Sequence, residues 1–141
     1  RAESACKEIG EQVSSGNLEA AAPENQDDFK ALLERADVIV ASGAAGVELA
    51  SKELIHSLSK LRVAIDLNAV PPAGLGGVEA FDKAKPLHEG QEDGPVAYGP
   101  IGVGGLKMRT HKAAIAKLFT SNSLVLDADE IYDLTIEQMN R

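Results

Sequence analysis

The sequence predicts an α/β domain built on a parallel sheet. Three observations predict it. Short continuous apolar runs, "VIV" at 38–40 and "VAI" inside "RVAIDLN" at 62–68, have the composition of strands buried on both faces. Helical periodicity appears between and after them. The two patterns alternate along 141 residues, enough for one core, and right-handed crossovers would place helices on both faces of the sheet.

In chain order, Ala2, Ala5, Cys6, Ile9 and Val13 share one helical face over residues 2–14, and Ser15, Gly16 and Asn17 end that helix. Residues 18–22 are short and apolar and read as an edge strand; residues 23–26 read as a loop. Asp27 or Asp28 is positioned to cap a helix over 29–36, with Phe29, Leu32 and Leu33 inward. After the strand at 38–40, Ser42, Gly43 and Gly46 open a turn, and Val47, Leu49, Leu54, Ile55 and Leu58 mark the next helix. The strand in "RVAIDLN" follows. Residues 69–95 then form one long stretch rich in proline, glycine and charge, a length of loop that commonly carries function or moves. "VAYGPIGVGGLKMRTHKAAIAKLF" reads as a strand, a glycine turn and a long helix buried through Leu106, Ala113, Ala114, Ile115, Leu118 and Phe119. Residues 121–123 break it. Asp127 caps the last helix, with Glu130 as reciprocal partner.

Composition narrows the function. A net charge of −8 repels phosphate backbones, and 4% aromatic residues leave little for base stacking, so no nucleic-acid partner is expected. No apolar run approaches the ~20 residues of a membrane span, so no membrane partner is expected either. Three histidines stand without metal-ligand spacing, and one cysteine cannot close an internal disulfide; a reducing, cytoplasmic setting is the default. His56 and His88 read as surface residues, and Cys6 as a small apolar residue on its helix. The opening "RAESACKEIGEQV" is charged and amphipathic, unlike a signal peptide. Arg1 falls inside the helical pattern, so the chain reads as a piece lacking an N-terminal part.

In an open parallel sheet, ligands bind beyond the carboxyl ends of the strands. Three strand ends here carry unusual chemistry: "ASGAAG" (41–46), "DLNAVPP" (66–72) and "GPIGVGGLK" (99–107). Ser42, Gly43, Ala44 and Ala45 are small enough to let a ligand reach the backbone, or they form a plain tight turn. Asp66 and Asn68 project to one side of their strand end, where they hold a ligand or brace the following loop. Gly102, Gly104 and Gly105 precede a helix whose first turn holds Lys107, a setting that attracts anions. The spacing is neither a Walker loop nor the full dinucleotide fingerprint. Arg109, His111 and Lys112 read as a solvated helix face, and no nucleophile elbow or triad is present. Asp82 and Lys83 sit in a charged stretch that reads as a solvated loop near the ligand mouth.

Together "ASGAAGVEL", "VAIDLNAVPPAGLGGVEAFDKAK", "YGPIGVGGLKMRTHKAAIAKLF" and "LDADEIYDL" resemble the bacterial methylene-tetrahydromethanopterin dehydrogenases, over most of residues 34–134. Several motifs match in order, which is more specific than any one glycine pattern; residues 14–30 match weakly. The resemblance implies a Rossmann-like fold, with this chain as most of a C-terminal NAD(P)-binding domain. Its first strand, its Gly-rich loop and an N-terminal pterin-binding domain would precede Arg1. It implies oxidation of methylene-tetrahydromethanopterin, or methylene-tetrahydrofolate in some members, to the methenyl form with NADP or NAD as cofactor. A reduced pterin one-carbon carrier is then the substrate and a homo-oligomer the expected assembly. Residue by residue it places Gly43, Ala44 and Ala45 beside the cofactor ribose and nicotinamide, and Asn68 and Ala69 near the nicotinamide end, with Ser42 and Asp66 as further cofactor-binding candidates. Gly102 and Lys107 fall in the glycine segment beside the cofactor, with Lys107 the candidate catalytic group. The residues choosing NADP over NAD would lie upstream. Residues 1–141 alone are expected to be inactive. Two other readings remain at this stage: a non-catalytic nucleotide-binding module, and a different Rossmann dehydrogenase, which would need a proton-transfer residue.

Overall fold

The sheet is short-stranded and mostly parallel. In the computed structural model, which describes residues 1–13, 16–68 and 70–140, strand β1 (Val38–Ala41) pairs in parallel with β2 (Val63–Asp66), and β2 with β4 (Val96–Tyr98). The strand order is β1-β2-β4-β3. Strand β3 (Lys83–Pro86) runs antiparallel on the far edge, with a register irregularity between Lys83 and Lys85 where Ala84 adopts φ +53°. An all-parallel sheet was expected; the edge strand makes it mixed. β3 lies inside the stretch read as one loop, and its sequence, KAKP, is exposed at every position. Lysine and proline suit an edge strand because they discourage further pairing there.

The chain forms two compact units, Arg1–Arg35 and Ala36–Arg141. In the first, α1 (Ala2–Gln12) has no buried residue, and Cys6 is half-buried. The expected strand at 18–22 does not form. Helix α2 (Gln26–Leu33) starts earlier than the sequence suggested, because Asn25 Oδ1 accepts from the Asp28 amide at 2.9 Å. Asp27 and Asp28 instead lie in the first turn, where carboxylates suit the positive end of the helix dipole. Arg35 donates to both carboxylate oxygens of Glu19, at 2.8 and 3.3 Å. α1 ends at Gln12, before the stop expected at residues 15–17, of which Ser15 lies outside the described residues.

In the second unit α3 is short, Lys52–Ser57, and is capped by Ser51 Oγ, which accepts from the Leu54 amide. Val47 and Leu49 were expected inside this helix. They precede it, because Ala50 forms a parallel bridge with Leu75 and the Leu49 and Ala50 amides donate to the Gly74 carbonyl. The core gathers Ala41, Ile55, Leu58, Leu61, Ala64, Leu75, Val78 and Ala97 around the sheet. Helix α4 (Gly104–Leu118) packs against α5 (Ala128–Met139), and Ala114 of the one and Leu134 of the other are buried. The capping box at Asp127 and Glu130 is present as expected. Ile115, Leu118 and Phe119, expected to be buried, are exposed, Phe119 at 87%.

Candidate functional site

The site begins where β2 ends. Asp66 is 1% exposed, and both its carboxylate oxygens accept backbone amides: Oδ1 from Asn68 at 2.8 Å and Oδ2 from Leu75 at 2.9 Å. A buried carboxylate satisfied by loop amides fixes the path of the chain that follows it. The irregular Pro/Gly segment therefore leaves β2 and folds back over the strand end. Gly74 lies so close that an added Cβ would stand 3.3 Å from Asp66 Oδ1. Gly76 donates to the Ala50 carbonyl at 2.8 Å, and an added Cβ there would stand 2.3 Å from the Lys52 amide nitrogen. Close backbone approach requires the glycine at 76, and the one at 74 sits tightly against the Asp66 carboxylate.

Asn68 joins the second strand end to the first. Its Nδ2 donates to the Ala44 carbonyl at 3.1 Å. Ser42, Gly43, Ala44 and Ala45 are all exposed. Among the described residues no backbone amide from Gly43 to Glu48 donates within the protein, so this turn presents open donors beside Asn68. Gly46 has φ +74°, which turns the chain sharply after them. Asp66, Asn68, Val70, Pro71, Ala73 and Pro100 line a hollow of about 250 Å³ on this side. Ala69 lies outside the described residues.

The third strand end supports the same loop. The Gly99 amide donates to the Asp82 carbonyl at 2.9 Å, and the amides of Ile101 and Gly102 donate to Ala80 at 2.9 and 3.3 Å. A Cβ on Gly102 would stand 1.7 Å from the Asp82 carbonyl oxygen. Gly102 thus serves the contact with loop 79–82, and its own amide is engaged there. Asp82 is buried, accepts from the Glu79 amide at 2.7 Å and pairs with Lys85 at 3.3 Å. It is a structural brace in a stretch the sequence presented as a solvated loop.

Lys107 and Leu67, the residue before Asn68, line one cavity of about 490 Å³ with Val103, just before α4, Leu106 and Ala114 of α4, and Ile131 of α5. The end of β2 thus faces two spaces: Asp66 and Asn68 line one, and Leu67 lines the other with Lys107. Pro100, after β4, shares the smaller hollow with Asp66 and Asn68, whereas Lys107 lines a different space from Asn68. His111 also lines the larger cavity, although it read as a solvated-face residue, and Arg109 borders a separate hollow with Lys83 and Gly102. Away from this rim, His56 and His88 meet edge to face, 4.8 Å between ring centroids. Both are half-buried, so the surface reading of these two is corrected. Burial, then the charges of His88 and Lys52, holds the His56 pKa below the ordinary histidine value, opposed by Glu53.

A largely parallel sheet, helices between its strands and three strand ends meeting at one rim make this a Rossmann-like α/β domain. No family model matches the chain. Two curated proteins of Methylorubrum extorquens do. "Bifunctional protein MdtA" is 42% identical over 102 residues, covering 72% of this chain and 34% of that protein. An NAD(P)-dependent methylenetetrahydromethanopterin dehydrogenase is 34% identical over 126 residues, covering 89% of this chain and 40% of that protein. Over the matched residues the chain is similar to both proteins, one of them a methylenetetrahydromethanopterin dehydrogenase, as its motifs indicated. It spans about a third to two-fifths of the length of these relatives.

Proposed function

We propose that this chain is most of the dinucleotide-binding domain of an NAD(P)-dependent dehydrogenase that oxidises methylene-tetrahydromethanopterin, or methylene-tetrahydrofolate, to the methenyl form. The carrying observation is the latch from Asn68 to Ala44, which sets the open amides of residues 43–48 at the end of the sheet. Such a turn fits a polar cofactor that needs close backbone approach. In this reading Ser42, Gly43, Ala44 and Ala45 lie along the ribose and nicotinamide, with Asn68 and Ala69 at the nicotinamide end. Asp66 and Gly102 act through the loop they hold. The bound nicotinamide supplies the electron-pair acceptor.

The chemistry asks little of protein acids and bases. The reacting carbon lies between two nitrogens, whose lone pairs stabilise the amidinium-type cation formed, so no strong general base is needed. The protein holds donor carbon and acceptor ring in contact and keeps water out. Lys107, on the wall beside Leu67, fixes an anionic or carbonyl group near the reacting end. The missing triad is therefore no obstacle.

The test is turnover followed at the reduced-nicotinamide absorbance, with methylene-tetrahydromethanopterin and either NADP or NAD. The sample is a longer polypeptide carrying this chain, compared with residues 1–141, which this reading expects to be inactive. Lys107→Ala is expected to lower kcat/KM at least tenfold. An unchanged kcat/KM and cofactor Kd in that variant remove Lys107 from the site, and no reduction of either nicotinamide by the wild type removes the dehydrogenase assignment.

A further inference from the structure

Lys83 and Lys85 lie two positions apart on β3, where a regular strand would turn both side chains to one face. The register irregularity between them, with Ala84 held at φ +53°, breaks that regularity. Such a conformation costs strain in a residue other than glycine, and irregular strands re-aim the side chains beside them. The two lysines have different surroundings. Lys85 is engaged within the protein, with Glu79 at 2.9 Å and Asp82 at 3.3 Å. Lys83 pairs with no carboxylate among the described residues. With Tyr98, its register partner on β4, it lines a hollow of about 680 Å³.

Arg109 of α4 lines the same hollow and is also without a carboxylate partner among the described residues. None of the described residues that line it is acidic. Acidic residues outnumber lysine and arginine by 22 to 14 in this chain, so two uncompensated cations in one hollow run against the general charge balance. Arginine offers a planar fork of donors that matches an oxyanion, lysine a compact charge, and the tyrosine hydroxyl a further donor. Two cations balance a dianion, which favours a phosphoryl group over a carboxylate.

We propose that this hollow binds the phosphoryl group of a phosphorylated small molecule, held by Lys83 Nζ, the Arg109 guanidinium and the Tyr98 hydroxyl. This goes beyond the dehydrogenase function and does not rest on it. Lys107, Asp66 and Asn68 lie outside the hollow. Gly102 borders it, with its own amide engaged by Ala80.

The probe is inorganic phosphate, titrated calorimetrically into the full chain without nicotinamide, at fixed ionic strength and at a pH where phosphate is mainly a dianion. The outcome is therefore independent of the dehydrogenase function. Wild type is expected to bind with a Kd of about 1 mM or tighter, and acetate at least tenfold more weakly. Lys83→Met and Arg109→Met are each expected to weaken phosphate at least tenfold with little change in Tm, since both side chains are exposed. Lys83→Arg, which keeps the charge, is expected to retain binding within about threefold. Lys60→Met removes a cation outside the hollow and is expected to leave binding unchanged. No phosphate binding by wild type, equal binding of acetate, unweakened binding by either hollow variant, or equal weakening by Lys60→Met overturns the proposal. Should a methionine variant not fold, glutamine at the same position replaces it, and unweakened binding there overturns the proposal equally.

Discussion

Asn68 Nδ2 reaches the Ala44 carbonyl at 3.1 Å, so a side chain just beyond β2 latches the turn that follows β1. A part-exposed hydrogen bond of this kind contributes about 0.5–1.5 kcal/mol. Asn68→Ala should therefore lower stability by about 1 kcal/mol, read by urea titration. Under the proposed function it should also weaken NADP or NAD binding about tenfold, because the open amides of residues 43–48 lose their fixed position. Binding unchanged in a folded variant would detach the latch from the cofactor.

Asp66 should be far less tolerant. Both its oxygens accept amides in a site that is 1% exposed. Asp66→Asn turns one of the two acceptors into a donor facing a donor, which costs about 1–3 kcal/mol. The urea midpoint should fall while the slope stays constant, as for a change in stability alone. A midpoint within error of wild type would mean that loop 67–76 is held by other contacts.

Two glycines three positions apart test the role of backbone proximity. Gly102→Ala places a Cβ 1.7 Å from the Asp82 carbonyl oxygen, a backbone atom that cannot rotate away. The loss should reach or exceed the ~1–3 kcal/mol of an overfilled core. Gly105→Ala, inside α4 with nothing within 4 Å of the added carbon, should stabilise by up to about 1 kcal/mol through helix propensity. Thermal unfolding of the pair reads both signs at once.

Acidification should weaken the domain through His56. Its pKa in the folded state lies below the unfolded value of about 6.5, from burial first and then the neighbouring charges of His88 and Lys52, opposed by Glu53. The unfolded chain then binds the proton more readily than the folded one. The contribution is full above about pH 6.5 and is lost as pH falls toward the folded pKa. His56→Gln should flatten the Tm profile between pH 7 and pH 5.5; an identical slope in the variant would assign the acid sensitivity to other groups.

The parts of the fold that show in the sequence are those whose cause is local. Continuous apolar runs mark β1 and β2, and the Asp127–Glu130 pair marks the start of α5. β3 was hidden because an exposed edge strand carries lysine and proline rather than valine. The start of α3 was displaced because the Ala50–Leu75 bridge, between residues far apart in sequence, claims the segment before it. At the rim, the grouping of residues 42–45 with Asn68 was readable from strand ends alone, whereas the choice between ligand and brace for Asp66 needed the two amides it accepts.

Besides the Asn68 latch and the Asp82 brace, the loop from 67 to 82 is moored by its peptide groups: Leu75 to Asp66, Gly76 to Ala50, and Ala80 and Asp82 to the glycine segment after β4. Its outward side chains, Val70 and Phe81 among them, carry none of that mooring. The exposed part of the lining of the hollow beside β2, such as Val70, is consequently separable from the frame that Asp66 and Asn68 build, so selection or engineering can retune which molecule is admitted while leaving the architecture intact.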